Sequence, residues 1–344
     1  MKLPGPKLTQ CFNPKFLYEN GRQPSGKPRY KIFGFENSEA GIRERFRVLR
    51  ASGRPDVVIP CRDNCSACKV MRRRQWQLRM HHEMMFREGG SFVTVTYSDE
   101  NLPQNGSLSP KDHADFIKRL RFHVPEQPFK LLGCGEYGTE VVGGVKLLGR
   151  PHFHYALAGL VLEDLEFSHM SGDFPLYKSE TMNKAWQEKG HVWIGDLTPQ
   201  STGYVISYID KKKPRYITDR VDPETGLSYY QKVNSVTGEI VDLQPEFQRQ
   251  STRPAIGREW YERFASDLFK GFLTYEAKPV RIPETYLRWL EKDFPEQFLA
   301  IKDQAREAVD ARGFFEGDST FERLLDRSAH AELVLAKSKT REFG

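Results

Sequence analysis

His152 and His154 flank a single phenylalanine in the apolar run GRPHFHYALAG. In a strand, residues i and i+2 point to the same face. Both imidazoles would then face one way, and Phe153 and Tyr155 the other. Neutral imidazoles bind divalent metals, and two of them on one strand face supply two ligands with fixed geometry. The alternative is a pair of core histidines that hydrogen-bond to the backbone.

Glu136, in the stretch CGEYG, is the natural third ligand. It lies in the preceding predicted strand, which is close enough in sequence to pair with the strand of His152 and His154. Two nitrogens and one carboxylate leave positions open for water or a substrate oxygen, as in catalytic metal sites. The pattern therefore predicts a metal site with three protein ligands.

A second stretch, GYVISYIDKKKP, places Tyr204, Tyr208 and Lys212 four residues apart. Residues at this spacing share one face of a helix, and Lys211 lies almost on the same stripe. Aromatic residues at helical spacing usually belong to a core, which is the alternative here. Both aromatics are tyrosines, however, and the stripe continues into lysine. A tyrosine can attack a phosphodiester when its proton can leave and the phosphate is polarised, and a lysine with a divalent cation supplies both conditions.

The five cysteines include three within eight residues, in PCRDNCSACK. In a reducing compartment such a cluster favours metal binding over disulfides. Cys61, Cys65 and Cys68 could hold a structural zinc ion, with Cys11 as a distant fourth ligand. The alternative is four reduced thiols, packed or exposed. Cys134, beside Glu136, is expected in the core.

Positive charge is concentrated near the N-terminus. The first eighty residues hold eighteen Lys and Arg against six Asp and Glu, whereas the whole chain has a net charge of +6. This clustering favours binding to a polyanion such as nucleic acid over a merely solvated basic surface. Arg72, Arg73, Arg74 and Arg79 are expected on the exposed side of a helix at 66–88, where they would contact phosphates without sequence preference.

The composition excludes a membrane-spanning chain. Hydrophobic residues make up 38% of the chain, the mean hydropathy is -0.62, and no run approaches the length of a membrane helix. The first residues carry charges without the apolar stretch of a secretory signal. We therefore expect the chain to act in the cytoplasm.

The order of predicted elements is strand, helix, strand, strand, helix, strand, helix, which indicates an α+β domain built on an antiparallel sheet. Helices are expected at 66–88, after the capping residue Ser109, at 178–189, and between Pro199 and Pro214. Four regions follow: a basic N-terminal arm with a Cys/zinc knot (1–65), a core (66–214), an exposed hairpin or loop (215–255), and a helical C-terminal region (256–344).

The motif HFH followed by Y-x-x-x-Y-x-x-K-K resembles the HUH endonucleases, which are named for their His-hydrophobic-His pair. The resemblance extends further. PCRDNCSACK, RRRQW, SFVTVTYSDENLP, CGEYG, GRPHFHYALAG, GYVISYIDKK and RPAIGREWYERF, in this order, resemble the replication initiators of small single-stranded DNA phages, the gokushovirus branch of the Microviridae. The similarity covers roughly residues 11–265.

The resemblance implies an RRM-like palm and a metal-dependent, site-specific single-stranded DNA endonuclease. His152, His154 and Glu136 match the ligands of Mg²⁺ or Mn²⁺. Tyr204 and Tyr208 match tandem nucleophiles that form a 5′-phosphotyrosyl bond, and Lys212 matches the lysine after them. Lys211 would join the arginines as a DNA contact. The freed 3′-OH would prime rolling-circle synthesis before the strand is rejoined.

The implied substrate is a single-stranded origin, and the implied partners are the replication helicase and polymerase of a bacterial host, in whose cytoplasm the chain would act. Two alternatives remain: a relaxase or transposase of the same chemistry, and a non-catalytic, zinc-stabilised nucleic-acid-binding protein. The chain departs from the family in its first cysteine gap, C-x-x-x-C, and in a longer connection between Gly138 and Gly149.

Overall fold

A seven-stranded antiparallel sheet forms the centre of the computed structural model, in the strand order β12-β5-β6-β4-β9-β8-β7. The strands of the chain are β1 Lys15–Arg22, β2 Pro28–Phe33, β3 Val57–Ile59, β4 Gly90–Thr96, β5 Lys130–Val142, β6 Val145–Ala158, β7 Glu166–Ser171, β8 Phe174–Lys178, β9 Val192–Asp196, β10 Gln231–Val233, β11 Ile240–Asp242, β12 Phe247–Gln250, β13 Leu273–Tyr275 and β14 Lys278–Val280. The structure describes residues 11, 15–24, 26, 28–33, 47, 57–59, 65–142, 145–209, 218–223, 225–234, 236–310, 326 and 329.

Seven α-helices occur within these ranges. They are α1 Ser66–Met84, α2 Pro110–His123, α3 Glu180–Trp186, α4 Pro199–Ile209, α5 Arg258–Phe264, α6 Glu284–Asp293 and α7 Pro295–Asp310. The expected mixed α+β class with a large antiparallel sheet is confirmed. None of these helices is both long and apolar enough to cross a bilayer.

The chain divides into two compact units, with α1 contributing residues to both. One comprises 76–263 and contains the seven-stranded sheet. The other comprises 1–75 and 264–344. Its described elements include the small sheet β2-β1-β3, the hairpin β13–β14, and helices α6 and α7. Tyr286 and Leu290 of α6 are fully buried within this second unit.

One face of the large sheet is covered by α2 and α3. The β-branched alternation of β4 sends Val93 and Val95 to this face, where both are fully buried. They join Phe116 of α2 and Trp186 of α3 in one hydrophobic cluster. The expected N-cap of α2 is confirmed, since the side chain of Ser109 accepts a hydrogen bond from the Asp112 backbone N–H at 3.1 Å.

The opposite face, which we call the α4 face, is only partly covered. Val205 and Ile206 of α4 and Met80 of α1 pack there against the sheet. A reciprocal cap fixes the start of α4: the backbone N–H of Ser201 donates to Thr198 Oγ1 at 3.1 Å, and the backbone N–H of Thr198 donates to Ser201 Oγ at 2.8 Å. Helix cover therefore begins at a defined point on this face.

The pairing of β5 with β6 is fixed on the α2–α3 face by two glycines. Gly133 lies opposite Tyr155, and Gly135 lies opposite Phe153. A Cβ on Gly133 would approach the Tyr155 ring to 2.5 Å, so only glycine leaves room for this fully buried ring. The alternate residues of both strands consequently face the α4 face.

Several elements depart from the sequence-based expectation. The helix predicted at 66–88 ends at Met84, and β7, β8, β13 and β14 were not predicted. The segment 215–255 contains the hairpin β10–β11, and beyond it β12 forms an edge strand that pairs with β5. The longer connection after Gly138 is an extension of the β5–β6 hairpin as far as the Val142–Val145 pair. None of these pairings has a local sequence signal.

Two buried histidines should make the fold sensitive to mild acid. Burial, together with the charge of His81, lowers the pKa of His82 from 6.5 to about 3, and burial with Arg249 lowers that of His113 to about 4. The unfolded chain therefore binds more protons than the folded chain below about pH 6.5, and stability falls as the pH falls. We expect the free energy of unfolding to be lower at about pH 5 than at about pH 7 by roughly 2 kcal/mol per histidine.

Urea unfolding at the two pH values measures this difference. His82→Phe should reduce it by about half, because a phenyl ring keeps the stacking on Trp260, whose ring centroid lies 3.9 Å away. His123→Phe, at an exposed position of α2, is the control and should leave the difference unchanged. An equal pH difference in all three proteins would contradict the assignment.

Candidate metal centre

Glu136 of β5 lies directly opposite His152 of β6, and His154 lies two residues further along the same strand face. Glu136 Oε1 is 2.8 Å from His152 Nε2 and 3.5 Å from His154 Nε2. One ligand atom from each residue lies within 4.8 Å of the other two. The structure thus brings together the three side chains that the sequence singled out as metal ligands.

Neighbouring groups orient both imidazoles. His152 Nδ1 lies 3.1 Å from the carbonyl oxygen of Arg150, which can only accept a hydrogen bond, so Nδ1 carries the proton. His154 Nδ1 lies 2.9 Å from Thr94 Oγ1. In the neutral His152 ring, the Nε2 lone pair then points at a carboxylate oxygen. Such a contact is favourable only when a proton or a metal ion lies between the two atoms, as in metal-ligating histidines with outer hydrogen bonds.

Glu136 is held ionised despite its burial. Only 2% of the residue is exposed. Burial alone would raise its pKa, but the hydrogen bonds and charges of His152 and His154 outweigh that effect and lower the pKa below its usual value. A carboxylate that stays charged beside two imidazole nitrogens is a suitable ligand for a divalent cation.

The cluster lies where the helix cover on the α4 face ends. Along β6, exposure rises from 0% at Ala156 to 4% at His154, and the His152 side chain is 18% exposed. Arg150 follows on the open side, where its guanidinium contacts Asp99 and donates to the Tyr97 carbonyl at 2.8 Å. The site is therefore buried on one side and accessible on the other.

Tyr204 of α4 packs beside this cluster. Its ring is half-buried, and its centroid lies 5.5 Å from that of His154 and 5.8 Å from that of Phe92, both edge-on. Tyr208 lies one turn further along α4, and its side chain is outside the described part of the structure. Lys211 and Lys212 also lie outside the described residues.

The expected exposure of Arg79 is wrong. The residue is 7% exposed, its Nε and Nη2 donate to the Ile256 carbonyl at 3.2 and 3.0 Å, and its guanidinium lies 4.3 Å from the centroid of Trp76. Arg79 therefore fastens α1 to a distant segment and is not placed to contact DNA. Arg74 is exposed, while Arg72 and Arg73 are half-buried.

The cysteines divide as the spacing suggested. Cys11, Cys65 and Cys68 lie together with their sulfur atoms within 4.8 Å of one another. Cys61 lies outside the described residues. Cys134 is 2% exposed and belongs to the core between the sheet and α4, so its expected role is confirmed.

Sequence reasoning missed two residues beside the metal cluster. Thr94 of β4 pairs with His154 on one side and with Trp193 of β9 on the other. Both side chains lie on the α4 face. Lateral neighbours follow from strand order, which a single sequence does not reveal, and the only local signal was the alternation in SFVTVTY.

Thr94→Val should weaken metal binding while preserving shape, because valine removes the hydroxyl that orients His154. Loss of such an outer hydrogen bond typically costs about 10- to 100-fold in metal affinity. Titration with Mn²⁺ by calorimetry or electron paramagnetic resonance measures it. Thr96→Val is the matched control, since the Thr96 hydroxyl donates instead to the His191 carbonyl. Equal Mn²⁺ affinity in both variants would show that the hydroxyl has no role.

Comparison with known proteins relates this site to a family of replication proteins. Residues 90–213, which contain β4, the metal cluster and α4, match the family model described as replication-associated protein ORF2. The chain is 28% identical over 273 residues to the replication-associated protein ORF2 of Spiroplasma virus 4, covering 75% of this chain and 76% of that relative. It is 26% identical over 251 residues to the replication-associated protein VP4 of Bdellovibrio phage phiMH2K, covering 70% of each. No solved structure matches. The chain is therefore similar to replication-associated proteins of small phages.

Proposed function

We propose that the chain is a metal-dependent endonuclease that nicks a single-stranded DNA origin by tyrosine attack and so initiates rolling-circle replication. The observation that carries this proposal is the contact between the Tyr204 ring and His154, within the Glu136–His152–His154 cluster. A phenol on a helix and a candidate cation site on a sheet thereby share one partly open edge.

The reaction follows from these groups. The Tyr204 phenol oxygen attacks a DNA phosphorus, so that an O–P bond forms and the bond from phosphorus to the 3′ oxygen breaks. The phenol proton is released, and the departing 3′ oxygen takes up a proton. A divalent cation, Mg²⁺ or Mn²⁺, held by Glu136, His152 and His154 polarises the scissile phosphate when bound.

The phosphotyrosyl ester retains the energy of the broken phosphodiester, so a 3′-OH can later rejoin the strand without ATP. Tyr208, one turn along α4, would make the second cut after one round of synthesis. A second nucleophile is useful because the first remains esterified to DNA during that round. Lys212, one turn further in sequence, would stabilise the developing charge.

The similarity to replication-associated proteins of two phages favours replication over conjugative transfer or transposition, which use the same chemistry. The 3′-OH is the primer that a host polymerase would extend, and a host helicase would separate the strands. The basic N-terminal portion and the exposed Arg74 suit non-specific contacts to the DNA backbone.

Adduct formation tests the proposal. With Mn²⁺ and 3′-labelled single-stranded DNA of the genome that encodes the chain, the protein should retain label on a denaturing gel, because the nicked 5′ end is bound covalently. Tyr204→Phe combined with Tyr208→Phe should abolish the labelled band, since neither ring then carries a nucleophilic oxygen, while DNA binding survives.

His152→Ala combined with His154→Ala should also remove the adduct. Tyr177→Phe, on the outer strand β8, is the control and should leave it unchanged. Undiminished cleavage by the double tyrosine variant would refute the mechanism. Binding without cleavage by the unaltered chain, in Mg²⁺ and in Mn²⁺, would instead favour a non-catalytic binding protein.

A further inference from the structure

Three cysteines that are far apart in sequence meet at the start of α1. Cys65 directly precedes the helix, Cys68 lies in its first turn, and Cys11 comes from 54 residues upstream of Cys65. Cys11 and Cys68 are 9% and 3% exposed, and Met71 packs against them. We infer that Cys11, Cys65 and Cys68 form a three-thiolate binding site for Zn²⁺ with a structural role.

The sulfur separation fits zinc better than a disulfide. Cys11 Sγ and Cys65 Sγ are 3.8 Å apart, far beyond the length of an S–S bond of about 2.05 Å. In a tetrahedral zinc site, Zn–S distances of about 2.3 Å place two sulfur atoms about 3.8 Å apart. The three sulfurs therefore already have the spacing of three corners of a zinc tetrahedron, and the described residues leave the fourth position unassigned.

The location favours thiolates. The backbone N–H groups and dipole at the N-terminus of a helix stabilise negative charge, which lowers the energy of ionised Cys65 and Cys68. Three buried thiolates would repel one another without a cation among them. Soft thiolate ligands select zinc over Mg²⁺ and Mn²⁺, so this site differs in chemistry from the Glu136–His152–His154 cluster.

Zinc at this position would close a loop of more than fifty residues. Metal sites of this kind couple binding to folding, because the ligands are not assembled in the unfolded chain. The ion would tie the N-terminal segment at Cys11 to the first turn of α1. The site is thus a structural crosslink for the smaller unit and takes no part in the proposed nicking reaction.

Metal analysis of the full chain, purified without chelator or affinity metal, tests the inference. We expect about one zinc per chain, and most of it should be lost in Cys11→Ser, Cys65→Ser and Cys68→Ser. Cys134→Ser, a buried cysteine of the sheet, should keep its zinc. Glu136→Gln should also keep it, which separates this site from the proposed catalytic one.

A second measurement needs no variant. Titrating the unaltered chain with a mercurial thiol reagent should release zinc in step with modification of the clustered thiols, and replacement by Co²⁺ should give a thiolate-to-cobalt charge-transfer band. A chain without zinc and without that band would overturn the inference, as would zinc that is retained by all three serine variants.

A second, independent feature is an aromatic and cationic cluster around Trp193 on the α4 face. The ring of His169 meets Trp193 edge-on at 4.8 Å, the ring of His191 lies nearly parallel to it at 5.7 Å, and Lys178 Nζ is 5.3 Å from its centroid. Trp193 is half-buried, whereas the other three residues are exposed. A cleft of about 220 Å³ adjoins this cluster, and Glu188 contributes the negative charge in its lining.

The cluster is level with the metal centre across the sheet. Trp193 pairs with Thr94, and Thr94 pairs with His154, so two strand spacings of about 4.8 Å each separate Trp193 from His154. We propose that Trp193 stacks with a base of single-stranded DNA close to the scissile phosphate, while Lys178 contacts the backbone. This assignment rests on the proposed function for its choice of ligand.

Stacking on an aromatic ring tolerates every base, and its loss typically weakens single-strand binding by roughly 5- to 150-fold per base. We expect a decrease of that size for Trp193→Ala, measured by fluorescence anisotropy on labelled single-stranded DNA, and a smaller one for Trp193→Phe. Phe167→Ala removes an exposed aromatic of the same β7–β8 hairpin and should not change binding.

Binding is measured with Tyr204→Phe and Tyr208→Phe present, so the result does not depend on nicking. Unchanged affinity in Trp193→Ala would overturn the stacking proposal even if the unaltered chain forms adducts. A Trp193-dependent affinity without any adduct in the unaltered chain would support stacking while refuting the proposed function. An equal loss for single-stranded and duplex DNA would also overturn it, because paired bases cannot stack on the ring.

Discussion

The register between β5 and β6 is the constraint on which the site depends. Side chains alternate along a strand, so a slip of one residue would turn Glu136 away from both histidines. The opposite face prevents this slip, because Gly133 and Gly135 leave room for the buried rings of Tyr155 and Phe153. Packing on one face of the sheet therefore fixes the ligand geometry on the other. The motifs GCGE and HFHY are complementary halves of one arrangement, with glycine against aromatic on one side and carboxylate or thiol against imidazole on the other.

The second requirement is that a helix ends its cover of the sheet at the right place. Val205 and Ile206 bury α4 against the strands, and the Thr198–Ser201 cap fixes where the helix starts. Tyr204, one residue before this buried pair, is left half-buried at the border, with its ring against His154. A more complete cover would exclude a DNA strand, and a looser one would leave the phenol without a defined position. The stability of the core and the accessibility of the proposed nucleophile are thus set by the same helix.

Local patterns predicted more of this protein than long-range ones. The His152–His154 pair, the Ser109 cap and the strand at Glu136 could be inferred because each depends on neighbours within about twenty residues. Arg79 could not, since its helical position alone indicated exposure while its partner, the Ile256 carbonyl, lies 177 residues away. Edge strand β12 and the pairing of Thr94 with Trp193 were missed for the same reason. Each depends on strand order, which arises from the assembled sheet and leaves no mark in a local window.

The ligand types of the two clusters also bear on which ion each would hold. Mg²⁺ prefers six oxygen ligands and gives up water reluctantly, so the thiolates of Cys11, Cys65 and Cys68 offer it nothing. The cluster on the sheet has one carboxylate and two imidazoles, and a divalent ion there would keep several positions for water or phosphate oxygens. Imidazole nitrogen binds Mn²⁺ more readily than Mg²⁺, following the general order of affinities among divalent metals. With two of its three protein ligands nitrogen, the site should therefore hold Mn²⁺ more tightly than Mg²⁺, and use of Mg²⁺ in a cell would reflect its abundance.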